Sequence, residues 1–317
     1  MPRISTVLGQ VDTSKLGFTL VHEHVLISSA GLKDVYPEFI PRESAIKEGV
    51  RRLREAKSEG VTTIVDLTTM DLGRDIRVIE AASRESGVNI ICATGTWLEI
   101  PRAFRTAEPD DIASLYVREI EQGIEGTGIR AGVIKVAHDV GGVTEPGEII
   151  LRAAARAHKK TRVPIITHTW APERVGEQQI RVLEHEEVDP NRVCIGHSND
   201  TTDLDYLTGL LKRGVWVGLD RYPTHRPDVP DWQARTRVLR ALMEAGWTDR
   251  LLLSHDDPMT MLIAPKAVFA ERIKRNPDHI CFIKRRVLPY LRELGASEDE
   301  LRRLVVDNPR RFFEGAQ

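Results

Sequence analysis

Along the chain, short runs of apolar and β-branched residues alternate with longer, charged segments whose apolar residues return every three or four positions. The short runs predict strands over 18–26, 61–67, 89–94, 131–136, 164–168, 192–197, 215–219 and 251–254. The longer segments predict helices over 43–59, 75–86, 110–123, 147–160, 203–213 and 233–245, each with an apolar stripe to lay on a sheet. Strands that are apolar almost throughout are buried on both faces, which is the condition of a parallel sheet covered by helices. Eight such strands favour a closed ring over an open doubly wound sheet, so the pattern predicts an α/β fold, a (β/α)8 TIM barrel. A barrel of this kind routinely holds more than about 200 residues in one domain. Residues 1–317 are therefore expected to form a single domain, with a short N-terminal segment, about 1–17, closing the barrel bottom.

The polar residues within this pattern collect at one end of the strands. His22 and His24 stand two apart near the end of the first strand, and side chains at i and i+2 of a strand share a face. Taken alone, the pair fits two ordinary strand-end histidines better than a metal site. The carboxyl ends of the other strands add Lys135, His168, His197 and, just after Ser254-His255, Asp256. In a barrel this is the end where active sites are built. Neutral imidazoles and carboxylates are good ligands for divalent ions, zinc first and cobalt, manganese or iron as alternatives. Four histidines and one aspartate suffice for two ions if something bridges them. Lys135 is the candidate bridge: its surroundings, Gly132-Val133-Ile134-Lys135-Val136-Ala137, are apolar enough to lower its pKa. A neutral amine can add carbon dioxide to give a carbamate, making Lys135 an N6-carboxylysine. The competing reading is a buried lysine paired with Asp66 or Asp139.

Composition narrows the partner. Lys+Arg 45 against Asp+Glu 47 leaves little net charge, which argues against a nucleic-acid surface or a basic membrane patch and points to a small-molecule substrate. Cys92, Cys194 and Cys281 are odd in number and widely spaced, and buried free thiols in a reducing cytoplasm account for them. The N-terminus lacks an apolar leader, no stretch approaches about 18 uninterrupted apolar residues, and no phosphate-binding glycine loop occurs.

These motifs, taken together, resemble the phosphotriesterase family of the amidohydrolase superfamily, especially its phosphotriesterase-like lactonases. The resemblance runs through almost the whole chain: His22-Glu23-His24, Val65-Asp66-Leu67-Thr68, Ala93-Thr94-Gly95, Ile165-Ile166-Thr167-His168, Ile195-Gly196-His197, Gly218-Leu219-Asp220-Arg221, Ser254-His255-Asp256 and Asp307-Asn308-Pro309-Arg310. It implies that His22, His24 and Asp256 hold one metal and His168 and His197 the other. Carboxylated Lys135 and a hydroxide would bridge the pair. It also implies a homodimer. Asp256 would then accept the proton released as hydroxide adds to the substrate, with Lys135 completing the catalytic pair and His255 and Asp220 supporting the ligands or the proton relay.

For substrate, the resemblance implies lactone opening, with organophosphate triester hydrolysis as a side activity, and Asp220-Arg221 at the pocket mouth. This chain departs from those lactonases after strand three, where Thr94-Gly95-Thr96-Trp97-Leu98-Glu99 replaces a tyrosine with Trp97, an N–H donor only, and adds the carboxylate of Glu99. Trp97, Glu99, Asp220 and Arg221 are the expected substrate contacts, and Trp97 fits loop packing equally well. The apolar stretch 257–265 is expected as a lid, a rim-packing loop or a dimer contact, and His225, in the loop after strand seven, is expected to face solvent. Hydrolysis of another ester, amide or phosphate, or a binding barrel without catalysis, remain open alternatives.

Overall fold

The computed structural model describes residues 2–223 and 227–315; His225 lies outside the described residues. Each of the eight expected strand runs forms a strand. β1 (Arg3–Thr6) and β2 (Gly9–Asp12) make an antiparallel hairpin ahead of them. β3 (Phe18–Ile27), β4 (Val61–Asp66), β5 (Asn89–Thr96), β6 (Val133–Ala137), β7 (Ile165–His168), β8 (Val193–Ile195), β9 (Trp216–Leu219) and β10 (Leu251–Leu253) then follow in sequential order in one parallel sheet. The ring is drawn shut where Asp256 N–H donates to His22 O at 3.0 Å and Ser254 Oγ accepts from His22 N–H at 2.9 Å. The architecture is the expected single (β/α)8 barrel.

Three strands were not expected: the two of the N-terminal hairpin and one beyond β10. β11 (Pro258–Met261) pairs parallel to the outer end of β3, with Pro258 opposite His24 and Met261 opposite Ile27. The start of the 257–265 stretch is thus strand, and its Pro258, Met261 and Ile263 line the pocket at the barrel mouth; Ile27 extends β3 beyond the ring, and its edge accepts a further strand.

Helix limits follow their caps. The Asp75 side chain accepts from Val78 N–H to start Ile76–Ser86, which ends at Gly87 in the left-handed region, φ 68°. Asp203 likewise caps Leu204–Lys212 and Asp231 caps Trp232–Leu242. The expected helix at 147 begins earlier, at Glu145, because Thr144 caps it and Pro146 fits its first turn. Helix Val175–His185, which carries no side-chain cap, lies outside the expected segments. Among the described residues, no helix is long and apolar enough to cross a membrane.

The interior divides in two. Outside the sheet, Leu20, Ile64, Ile90, Ile134, Ile165 and Leu253 pack against the helices. Inside it, Val21, Val65, Ile91, Val133, Ile166, Cys194, Trp216 and Leu252 fill the barrel, joined by Ile4, Leu16 and Phe312. The hairpin is tied to this core by Val7 N–H donating to Ile90 O at 2.9 Å. Cys92, Cys194 and Cys281 are free and buried.

Candidate metal centre

Strand alternation decides which side chains reach the barrel mouth, and in β3 a bulge resets it. Leu20 pairs with Ile64 and Glu23 with Asp66, so three steps on β3 match two on β4. Without the extra residue, the alternation that turns Val21 inward would carry Glu23 inward and both histidines out. The bulge lets Val21 and His22 both face the interior and brings His24 in after them. In β6 and β7 ordinary alternation suffices: Val133 and Ile166 lie in the inner core, and Lys135 and His168 follow two residues later. His197 and Asp256 sit just past β8 and β10 with φ of 56° and 53°, a backbone conformation unfavourable to side-chain-bearing residues. Each is held there by its own amide, His197 N–H donating to Asp220 Oδ1 at 2.6 Å and Asp256 N–H to His22 O at 3.0 Å.

The six expected ligands line one pocket of about 140 Å³, together with Ile27, Leu72, Trp97, Arg221, Met261 and Ile263. His24 Nε2 lies 3.2 Å and His22 Nε2 3.5 Å from Asp256 Oδ1, and these three residues form one group able to hold a cation. On the other side His197 Nε2 faces His168 Nδ1 at 2.9 Å. Lys135 Nζ is 3.5 Å from His22 Nε2.

Asp220 organises this set from beneath. Fully buried, its two oxygens meet His22 Nδ1 and His197 Nδ1, each at 2.9 Å. Burial alone would raise its carboxyl, but the imidazoles of His197 and His22 hold it well below the usual range. As an anion it accepts from both Nδ1–H groups, leaving both Nε2 lone pairs aimed at the pocket. Asp220, His22 and His197 also satisfy the spacing of a cation-binding group; the Nδ1 contacts identify it as the support of the ligands. Asp220 therefore cannot contact substrate, a correction to its expected place. Gly196 makes room for it, since a Cβ there would stand 2.2 Å from Thr167 O and 2.9 Å from Asp220 Oδ2.

The donor set suits cations. Burial, then the Lys135 charge, pushes His22 down to about 4, and burial drives His197 well below the ordinary value, so both rings are neutral donors. His197 Nε2 lies 2.9 Å from His168 Nδ1, the atom to which Trp97 Nε1–H donates at 3.3 Å, and a cation bound by His168 Nδ1 would take that lone pair and release the Trp97 donor. His168 Nε2 lies 3.3 Å from Asp139 Oδ2, outside hydrogen-bonding geometry. Burial lowers the Lys135 amine to about 8. The ion-pair reading of Lys135 falls away: Asp66 accepts from the amides of Val25 and Thr68, Asp139 lies against His168, and Lys135 has no ion pair among the described residues. Gly95 lets β5 approach at this point, because a Cβ there would stand 1.9 Å from Lys135 O.

Other expected contacts separate. Arg221 lines the pocket, its Nε donating to Asp256 Oδ2 at 3.1 Å. Trp97 is a pocket wall. Glu99 is exposed and outside the pocket lining: its amide and that of Trp97 donate to Asp71, which turns the loop so that the Glu99 side chain points away. His255 faces the opposite side of the strand end from Asp256. Its Nδ1 lies 2.6 Å from Glu23 Oε1 and its Nε2 accepts from Ile283 N–H, so both ring nitrogens are committed and it takes no part in a proton relay. It holds the chain beside Asp256.

Pattern reading missed Glu23, Thr68, Asp71 and Asp200. Thr68 Oγ1 sits 2.9 Å from His24 Nδ1, and Asp200 accepts from both Arg221 and Arg235. Glu23 had a signal, a charged residue between two inward histidines in an apolar strand, which demands a buried partner on the outer face.

The sequence model described as the phosphotriesterase family matches residues 2–313. The "Phosphotriesterase homology protein" of Mycobacterium tuberculosis is 38% identical over 330 residues, covering 99% of this chain and 98% of that protein. The "Aryldialkylphosphatase" of Saccharolobus solfataricus is 35% identical over 306 residues, covering 96% of each. The solved structure of the phosphotriesterase from Mycobacterium tuberculosis superposes with a TM-score of 0.92 at 37% identity, covering 99% of this chain and 98% of the other.

Proposed function

The chain belongs to the phosphotriesterase family, and on that premise we propose that it is a metal-dependent hydrolase that opens a lactone, with phosphotriester hydrolysis as a side activity. The observation that carries this reading is the convergence of His22, His24, Lys135, His168, His197 and Asp256 on one small pocket. In it His22, His24 and Asp256 would hold one divalent ion and His168 and His197 a second, with Lys135, as a carbamate, as a further ligand. Such a pair of ions acidifies water and polarises the carbonyl or phosphoryl oxygen under attack.

The chain's own groups do the rest. Asp220 fixes His22 and His197, and Thr68 fixes His24. Asp256 accepts the proton released as water adds and passes it to the leaving oxygen. Arg221 holds Asp256 in place, and Ile27, Leu72, Trp97, Met261 and Ile263 keep bulk water out. The aryldialkylphosphatase relative supports the phosphorus side of the reading. A second reading, another ester or an amide on the same site, is favoured by Trp97, which offers an indole N–H and no hydroxyl to the substrate carbonyl.

In the same proposal the protein is a cytoplasmic homodimer. Its free, buried cysteines suit a reducing compartment, and Val35, Tyr36 and Phe39, exposed at 65%, 56% and 61%, form an apolar group for a second copy to cover. Sedimentation reads the dimer directly. The activity is tested by loading the protein with cobalt, manganese or zinc and offering γ- and δ-lactones beside an aryl dialkyl phosphate. Lactone turnover that vanishes on metal removal is expected. Protein carrying two ions per chain that cleaves no lactone overturns the lactonase reading.

A further inference from the structure

We propose that Arg272 is a movable partition between the metal pocket and a larger neighbouring cavity, and that it sets how large a substituent the substrate can carry; the inference rests on the hydrolase reading above. The metal pocket measures about 140 Å³. Beside it, between Arg221–Pro223 and the helix Lys266–Arg275, lies a cavity of about 620 Å³. Sites for drug-sized ligands run from roughly 300 to 1,000 Å³. The metal pocket alone therefore takes a lactone ring or a phosphoryl head and little else. The larger cavity, with Tyr222, Pro223, Ala267 and Val268 in its walls, suits an apolar substituent.

Three side chains line both spaces: Arg221, Asp256 and Arg272. Two of them are fixed. Asp256 is tied through its amide to His22 and through its carboxylate to His24 and Arg221. Arg221 is clamped between Asp256 and the buried Asp200, which Arg235 holds from the other side. Arg272 is different. Its side chain is 42% exposed, its Nη2 donates to Asp256 O at 2.5 Å and its Nε stands 3.4 Å from Asp257 Oδ1. The helix that carries it has no fully buried residue and only Phe269 and Ile273 half-buried, so packing holds it weakly. Across the opening, Arg272 confines the substrate to its reacting head. Turned outward, it joins the two spaces and lets an alkyl or alkoxy substituent run alongside the helix.

The test compares wild type, Arg272→Ala and Arg272→Lys on two γ-lactones, one unsubstituted and one bearing an eight-carbon chain. The readout is the ratio of kcat/KM for the long lactone to that for the short one. At least a tenfold rise in this ratio is expected for Arg272→Ala, with Arg272→Lys in between. A ratio unchanged in both variants overturns the partition. If the metal-loaded protein cleaves aryl dialkyl phosphates but no lactone, the lactonase reading fails on its own. The same ratio for butyl over methyl phosphate esters then decides the partition. Protein that cleaves neither class overturns both.

Discussion

The lower and upper halves of the barrel interior are built from the same strands and could hardly differ more. In β6 and β7 the inward residues change from Val133 and Ile166 to Lys135 and His168 within two positions. Below that line the interior is mainly apolar, closed off by Leu16, Trp216 and Phe312, and the buried Thr63 hydroxyl is satisfied by Leu16 O at 2.7 Å. Above it, imidazoles, a carboxylate and an amine crowd within hydrogen-bonding distance, two of them at positions with unfavourable backbone angles. Burying those groups opposes folding. The lower half, fully desolvated and close-packed, supplies stability that the upper half does not. The strands thus separate stability from chemistry along their length rather than between domains.

That separation can be broken most severely at Lys135. Lys135→Met keeps the volume but removes the proposed bridging ligand; on the two-ion proposal turnover should fall about 10³-fold or more, since such catalysis contributes several kcal/mol. Metal content should drop while the melting temperature holds or rises, because a buried amine is replaced by an apolar chain. Metal analysis and a thermal melt check both halves of the claim, and a large loss of stability would show that the two halves are not separable. Trp216→Ala should do the opposite. It leaves a void in the inner core and orphans Asn191 O, so unfolding free energy should fall by about 3–5 kcal/mol in urea titrations, with kcat of the folded enzyme nearly unchanged.

Asp220→Asn sits on the boundary and sharpens it. An amide oxygen can still accept from one histidine, but its NH₂ opposes the other, so metal affinity should weaken about 10- to 100-fold, measured by competition with a chelator. A mild effect is expected from pH. With Lys135 near 8, the neutral amine that adds carbon dioxide grows as pH rises. Reconstitution with metal at a fixed concentration of dissolved carbon dioxide should therefore run about tenfold faster at pH 9 than at pH 7, as the neutral fraction climbs through that value. A rate independent of pH across that range would speak against a carbamate.

Most of the barrel was legible because burial on both faces writes itself as unbroken apolar runs, and all eight strands were read that way. β11 was not, since Pro258–Met261 has no periodicity long enough to announce a strand and forms one only because β3 offers an edge. At the site, residue types spoke clearly: His, Lys and Asp at apolar strand ends demand partners. Side-chain direction did not. Glu99 was misplaced because the Asp71 contacts that turn its loop join residues 26 and 28 positions apart, and Asp220 because nothing local shows that two histidines lie above it.

From the sequence alone follow the α/β alternation, the eight strands, the end of the barrel where chemistry gathers and the six residues that gather there, since each depends on local composition and on which residues can be buried. The tertiary structure decided which way they point. The β3 bulge turns His22 and His24 inward, Asp220 fixes which ring nitrogens face the pocket, and Arg272 stands between the two cavities. These depend on register and on contacts across the ring, where one residue of slip reverses a face and no local pattern records it.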